Sequence, residues 1–150
     1  IQSFKDLQIW NRSVDLSIEI YQATATFPKS ELFGLTSQIR RAGVSPAANI
    51  AEGWSRKTSR SFHHFLDISR GSLAELYTHL EISRRLDFIP DLSAQRLMVE
   101  SDEISKMIHV MQLKIDPQHK LDNNRIEPQQ LRSQILFAVR YSLFAPLEPD

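Results

Sequence analysis

Two sets of side chains carry whatever chemistry this sequence can do. The first is polar: Gln38, Arg41, Ser45, Asn49 and Glu52 recur every three or four residues, and Ser72, Glu75 and His79 do the same further on, with Arg70 beside them. That spacing puts each group on one face of a helix. The second set is cationic: Arg40, Arg56, Lys57 and Arg60 lie near one another in the chain, and Arg84 and Arg85 follow later. Such groups are what a phosphate backbone binds. Catalysis has no comparable set. None of His63, His64, His79, His109 or His119 follows a glutamate by three residues, so the Glu-x-x-His of a di-iron bundle is missing. Gly71-Ser72 lacks the Gly-x-Ser-x-Gly surroundings of a strained nucleophile, and the four glycines form no phosphate-cradling loop. Glu52 and Glu75 come with arginines rather than with each other, an arrangement unsuited to paired acid and base work. The expectation is a protein that is not an enzyme, with no catalytic residue, no metal site and no cofactor.

Helices must position these groups. Leu7, Trp10, Val14, Ser17 and Tyr21, widened by Ile9, Leu16 and Ile20, predict a first amphipathic helix over residues 5–26, ended by Phe27-Pro28. A second runs from Ser30 or Glu31, with Ser30 as its cap, to Arg56. It buries Leu35, Ile39, Ala42, Pro46, Ile50 and Gly53, a face of little bulk with a proline near its middle. Small residues let a second backbone approach, and an internal proline costs about 3 kcal/mol unless packing compensates. The third helix, capped by Ser59 and carrying Phe62, Leu66, Leu73, Leu76 and Leu80, runs to Leu86. Leu92, Leu97, Ile104, Met107, Ile108 and Met111 give a weakly periodic fourth helix up to Leu113. Short connections between long helices predict an all-α, up-down-up-down four-helix bundle over residues 1–113. Past Lys114 come four of the seven prolines and no glycine, so residues 114–150 read as a linker and appendage. Leu131, Ile135, Val139 and Leu143 there suit a short fifth helix, the alternative being a disordered tail.

Composition narrows the function further. A chain of 150 residues can bury a core without metal or disulfide support. With no cysteine, thiolate zinc sites, disulfides and cysteine nucleophiles are excluded. The chain starts without a leader pattern and contains no apolar run of membrane-spanning length, so the expected location is the cytoplasm, with no membrane partner. Basic and acidic residues each number 18, and a net charge of zero leaves nucleic-acid binding to local patches.

If the second and third helices turn near residues 57 and 58, residues whose numbers add to about 115 or 116 come level. Arg41 then meets Glu75, Ser45 comes level with Arg70 and Gly71, and Glu52 comes level with His63 or His64. Arg41, Ser45, Asn49, Glu52, Arg70, Ser72 and Glu75 would form an interhelical polar network that fixes register, or a polar seam that recognises a subunit or ligand. For Arg40, Arg56, Lys57, Arg60, Arg84 and Arg85 the alternatives are a solvated surface and phosphate contacts. Trp54, beside the basic turn, either closes the core or stacks on a base.

Ser3-Phe4-Lys5-Asp6-Leu7 with Trp10, Phe27-Pro28, Gly34-Leu35-Thr36-Ser37-Gln38-Ile39-Arg40-Arg41-Ala42, Asn49-Ile50-Ala51-Glu52-Gly53 and Arg70-Gly71-Ser72-Leu73-Ala74-Glu75-Leu76 stand in this order over residues 3–113. Together they closely resemble the bacterial four-helix-bundle proteins encoded in intervening sequences of large-subunit ribosomal RNA genes. That family includes the accessory variability determinant of diversity-generating retroelements, a reverse-transcriptase partner. The resemblance implies a homopentamer of four-helix bundles and, from the retroelement member, nucleic-acid binding through positive surface charge. It marks Arg40, Arg41, Asn49, Glu52, Arg70, Gly71 and Glu75 as family-motif positions and adds no catalytic residue. The expected function is a non-enzymatic oligomeric adaptor for structured RNA or a ribonucleoprotein, the retroelement accessory role being its most concrete form. The alternative is a protein-interaction scaffold without nucleic-acid affinity.

Overall fold

The computed structural model describes residues 2–115, so the expected linker and fifth helix lie outside the described residues. Among the described residues four α-helices form: α1 (Gln8–Thr24), α2 (Leu35–Ser55), α3 (Ser59–Arg85) and α4 (Asp91–Ile115). Each packs on its neighbour in the chain, and α1 packs on α4 to close the bundle. Leu16, Ile20, Ile39, Ile50, Leu66, Leu73, Leu76, Leu80, Leu97, Ile104 and Ile108 make one fully buried core. Among the described residues no helix is long and apolar enough to cross a membrane.

The buried face of α1 differs from the expected one. Ile9, Ser13, Leu16, Ile20 and Thr24 point inward, while Trp10, Val14 and Ser17 are half-buried and Tyr21 is 49% exposed. Ser13 and Thr24 can sit inside because each hydroxyl donates back to a carbonyl of its own helix, to Ile9 O at 2.7 Å and Ile20 O at 2.8 Å. A satisfied hydroxyl is a small, cheap core residue. α4 hides its pattern in the same way, burying Ala94, Ser101 and Gln112 among Leu97, Met98, Ile104 and Ile108. Leu92, expected in this core, is 81% exposed in the first turn.

The helix starts also correct the sequence reading. Residues Lys29–Glu31 form a separate 3-10 turn, and the Glu31 carboxylate, rather than Ser30, accepts from Leu35 N at 3.1 Å. Thr58, one residue before Ser59, caps α3 by accepting from Ser61 N at 3.2 Å. At the front, Ser3 and Asp6 form a capping box around a 3-10 turn, and this delays α1 to Gln8.

α2 lies tight against its neighbours where it is smallest, against α3 at Gly53 and against α1 at Gly43. A Cβ at Gly53 would lie 2.6 Å from Phe65 Cβ and 3.1 Å from Phe62 Cδ2, and one at Gly43 would lie 3.2 Å from Ile20 Cγ2. α2 runs unbroken through Pro46, and the Ser69 hydroxyl on α3 donates to Pro46 O at 3.1 Å. The small residues of α2 therefore serve contact inside this chain. Phe65 Cβ is fixed to the α3 backbone and cannot swing aside, so Gly53→Ala must push the helices apart. The expected loss is about 1–3 kcal/mol, read as a lowered denaturation midpoint with unchanged helical circular dichroism. A neutral Gly53→Ala would show that the approach is not tight.

Candidate nucleic-acid interface

The bundle has two chemically unlike ends. At one end the α1–α2 and α3–α4 connections meet, with the rings of Phe27 and Phe88 5.8 Å apart. At the other lie the α2–α3 turn, the residues preceding α1 and the last turn of α4. α3 spans 27 residues, so the ends are about 40 Å apart at 1.5 Å per residue.

The six candidate cations divide between these ends. Arg84 bonds the Glu81 carboxylate at 2.8 Å and Asp91 at 3.3 Å, and Arg85 bonds Glu81 at 2.7 Å. Arg40 donates to Thr24 Oγ1 at 2.9 Å and stands over the Tyr21 ring, 4.6 Å from its centroid. These three arginines are committed within the chain. At the turn, Arg56 pairs with Glu52 at 2.6 Å and lies 5.6 Å from the Phe65 centroid. Exposed Lys57 and Arg60 have no ion pair among the described residues. Lys57 also holds a left-handed backbone, with φ of 59°. For a side chain other than glycine that conformation costs about 1–2 kcal/mol.

Beside Lys57 the end of the bundle is hollowed. Leu7, Trp54, Phe62, Met111 and Ile115 wall a recess of about 360 Å³, with Lys57 at its edge. Trp54 and Phe62 meet edge to face, with centroids 5.6 Å apart. The fold thus resolves Trp54 as a half-buried ring that both closes the core and faces a recess.

The expected interhelical network breaks into separate pieces. One is directional: Asn49 Nδ2 donates to Ser45 Oγ at 3.0 Å, Ser45 Oγ lies 2.7 Å from Ser72 Oγ, and Ser72 donates to Ile68 O at 3.0 Å. Arg41 and Glu75 are level as expected and line one groove of about 270 Å³ with Ala42, Val44, Ser45 and Ser72. They form no ion pair, and Glu75 instead faces His79 Nε2 at 3.3 Å. Both are exposed, so water solvates each and no desolvation cost forces them together. Glu52 reaches along its own helix to Arg56 rather than across to His63 or His64. Arg70 turns to α4, donating to Gln112 Oε1 at 3.2 Å, while Gln112 Nε2 donates to Asp67 Oδ1 at 2.7 Å and His63 O at 3.3 Å.

Two polar contacts escaped the sequence reading. Buried Gln112 is one, since a lone glutamine in a weak stripe gives no signal. The other is a fork from Arg12 on α1 to Glu100 on α4, with Nε to Oε1 at 2.7 Å and Nη2 to Oε2 at 2.6 Å. Its hydrogen bonds raise the Arg12 pKa and clamp α1 to α4. Among the described residues no cluster of metal-ligating side chains occurs.

Hydrogen bonds from Arg84 and then Arg85 lower the Glu81 pKa to about 2. A depressed carboxylate stabilises the fold above its ordinary pKa, and that contribution is lost as the pH falls toward the folded value. Arg84→Gln is expected to move the Glu81 titration, followed by carboxyl-carbon NMR, upward toward the ordinary range. An unmoved titration would remove Arg84 as its cause.

A protein of unknown function from the S23 ribosomal protein family of Bacteroides thetaiotaomicron, solved as a crystal structure, is similar to this chain. It is 23% identical, covers 69% of this chain and 97% of its own, and superposes with a TM-score of 0.63, a likeness of fold. No curated protein matches the chain. The 23S rRNA-intervening sequence protein family matches residues 5–110, which take in α1 to α3 and most of α4, and the chain belongs to that family.

Proposed function

We propose that the protein is a non-enzymatic, oligomeric adaptor that binds structured RNA through the α2–α3 turn, in the cytoplasm. The observation that carries this reading is Lys57, exposed at the turn and without an ion pair among the described residues. Arg56 and Arg60 flank it, and the family that the chain belongs to is that of 23S rRNA-intervening sequence proteins.

Assembly into a ring, with five copies as the expected number, draws support from the α2–α3 face. Gly71 is exposed in mid-helix, and among the described residues a Cβ there would meet nothing within 4 Å, so the bundle itself gives no reason for glycine. Val44 and Ile68 are exposed beside it. A second copy packing there would explain a small residue that otherwise costs about 1 kcal/mol against alanine.

The retroelement version adds a reverse transcriptase as partner. Its support is the opposite end of the bundle, where Phe33 is 93% and Leu92 81% exposed. Exposed large apolar groups of this kind suit protein contact. The same residues favour the scaffold alternative if RNA does not bind.

Two measurements test the reading. RNA affinity should fall steeply with salt, and replacing Arg56, Lys57 and Arg60 by glutamine should weaken it and flatten the log–log salt slope by about one unit per cation removed. No RNA binding by the parent protein at low salt would leave the scaffold. Sedimentation should show an oligomer that Gly71→Gln reduces to monomers while helical content is kept. A monomeric parent would end the ring.

A further inference from the structure

The recess beside Lys57 has features that a phosphate-binding surface alone does not require. Trp54 and Phe62 meet edge to face in its wall, with planes at 87°. Among the described residues Lys57 lines the recess itself, and no carboxylate does. Ser59 also lines it, exposed, with a hydroxyl that makes no hydrogen bond among the described residues. The neighbouring Thr58 hydroxyl is already taken by Ser61 N.

These features select an occupant. An apolar, aromatic wall next to unpaired cations complements a flat apolar group attached to negative charge. A helix is about 10–12 Å across with its side chains, too broad for a recess of about 360 Å³, whereas a single planar heterocycle enters it. Aromatic rings beside cations are how proteins hold unstacked bases, with sequence-tolerant stacking supplementing phosphate contact. A free hydroxyl at the edge can donate to or accept from the rim of any base.

We propose that this recess receives one unpaired nucleobase of the bound RNA, with Lys57 on the adjoining phosphate. This rests on the RNA-binding reading above and specifies it: the protein prefers RNA with an unpaired loop over a continuous duplex. A paired base cannot enter, because its stack and partner hold it in the helix.

The test compares a hairpin RNA carrying 2-aminopurine in an unpaired loop with a blunt duplex of the same stem, both with the full chain at fixed salt. The hairpin is expected to bind about tenfold more tightly, the size of one base–aromatic stacking contact, with a change in loop emission on binding. Trp54→Leu, which removes the platform, and Ser59→Phe, which fills the recess from its exposed rim, should each bring the hairpin down to the duplex affinity. Neither should alter the salt slope, since all three cations remain. Ser59 lies outside the core, so that variant keeps the test available if Trp54→Leu fails to fold. Equal binding of hairpin and duplex by the parent, or a preference untouched by Ser59→Phe, overturns the recess proposal and leaves RNA binding standing. Binding of neither RNA overturns both.

Discussion

The rest of the molecule depends on how closely α2 and α3 approach. At Gly53 the α2 backbone lies against Phe65 and Phe62 with no space for a methyl group, and about two turns back along α2 Ser69 bonds the Pro46 carbonyl. Those contacts set the register of the hairpin. Register in turn brings Ser45 to Ser72, places Arg41 and Glu75 along one groove, and leaves the three-residue turn between the helices tight. A turn that short must reverse direction abruptly, which is why Lys57 adopts a left-handed conformation. The exposed cation is a product of the buried glycine.

Polar groups inside this bundle are mostly hydroxyls bonded within their own helices. Ser13, Thr24, Ser83 and Ser101 each donate to a carbonyl four residues earlier. They fill core positions without demanding a partner across the interface, and they leave little to specify which helix goes where. Specification falls to a few longer reaches. The Arg12–Glu100 fork joins α1 to α4, and Gln112 joins α4 to α3 by three hydrogen bonds. The fork joins the first and last helices of the bundle, and the Gln112 side chain has both its oxygen and its nitrogen occupied.

What the sequence revealed follows from how each signal arises. Phe62, Leu66, Leu73, Leu76 and Leu80 announce α3 because large apolar side chains at helical spacing have no other common use. Pro46 and the small residues of α2 correctly marked close contact. The inward face of α1 was misread by about a third of a turn because Ser13 and Thr24 look polar, and only the backbone geometry shows their hydroxyls satisfied. Leu92 looked like core because composition cannot distinguish a helix start from a helix middle. Within the candidate site, spacing placed Arg41 level with Glu75, yet pairing depends on exposure, which no spacing encodes. The commitment of Arg84 to Glu81 was written at three-residue spacing. The recess beside Trp54 had no linear signature, since Leu7, Trp54, Phe62 and Met111 come from four separate segments.

The unlike ends of the bundle give the molecule a direction. Rotation about an axis parallel to the helices leaves that direction unchanged, so a ring built this way would point every copy the same way. Its lower and upper rims would then be a wreath of Lys57 and Arg60 on one side and a wreath of Phe33 and Leu92 on the other. Such a disc is two-faced, and anything held by one rim is presented, at a distance of about one bundle length, to whatever sits on the other.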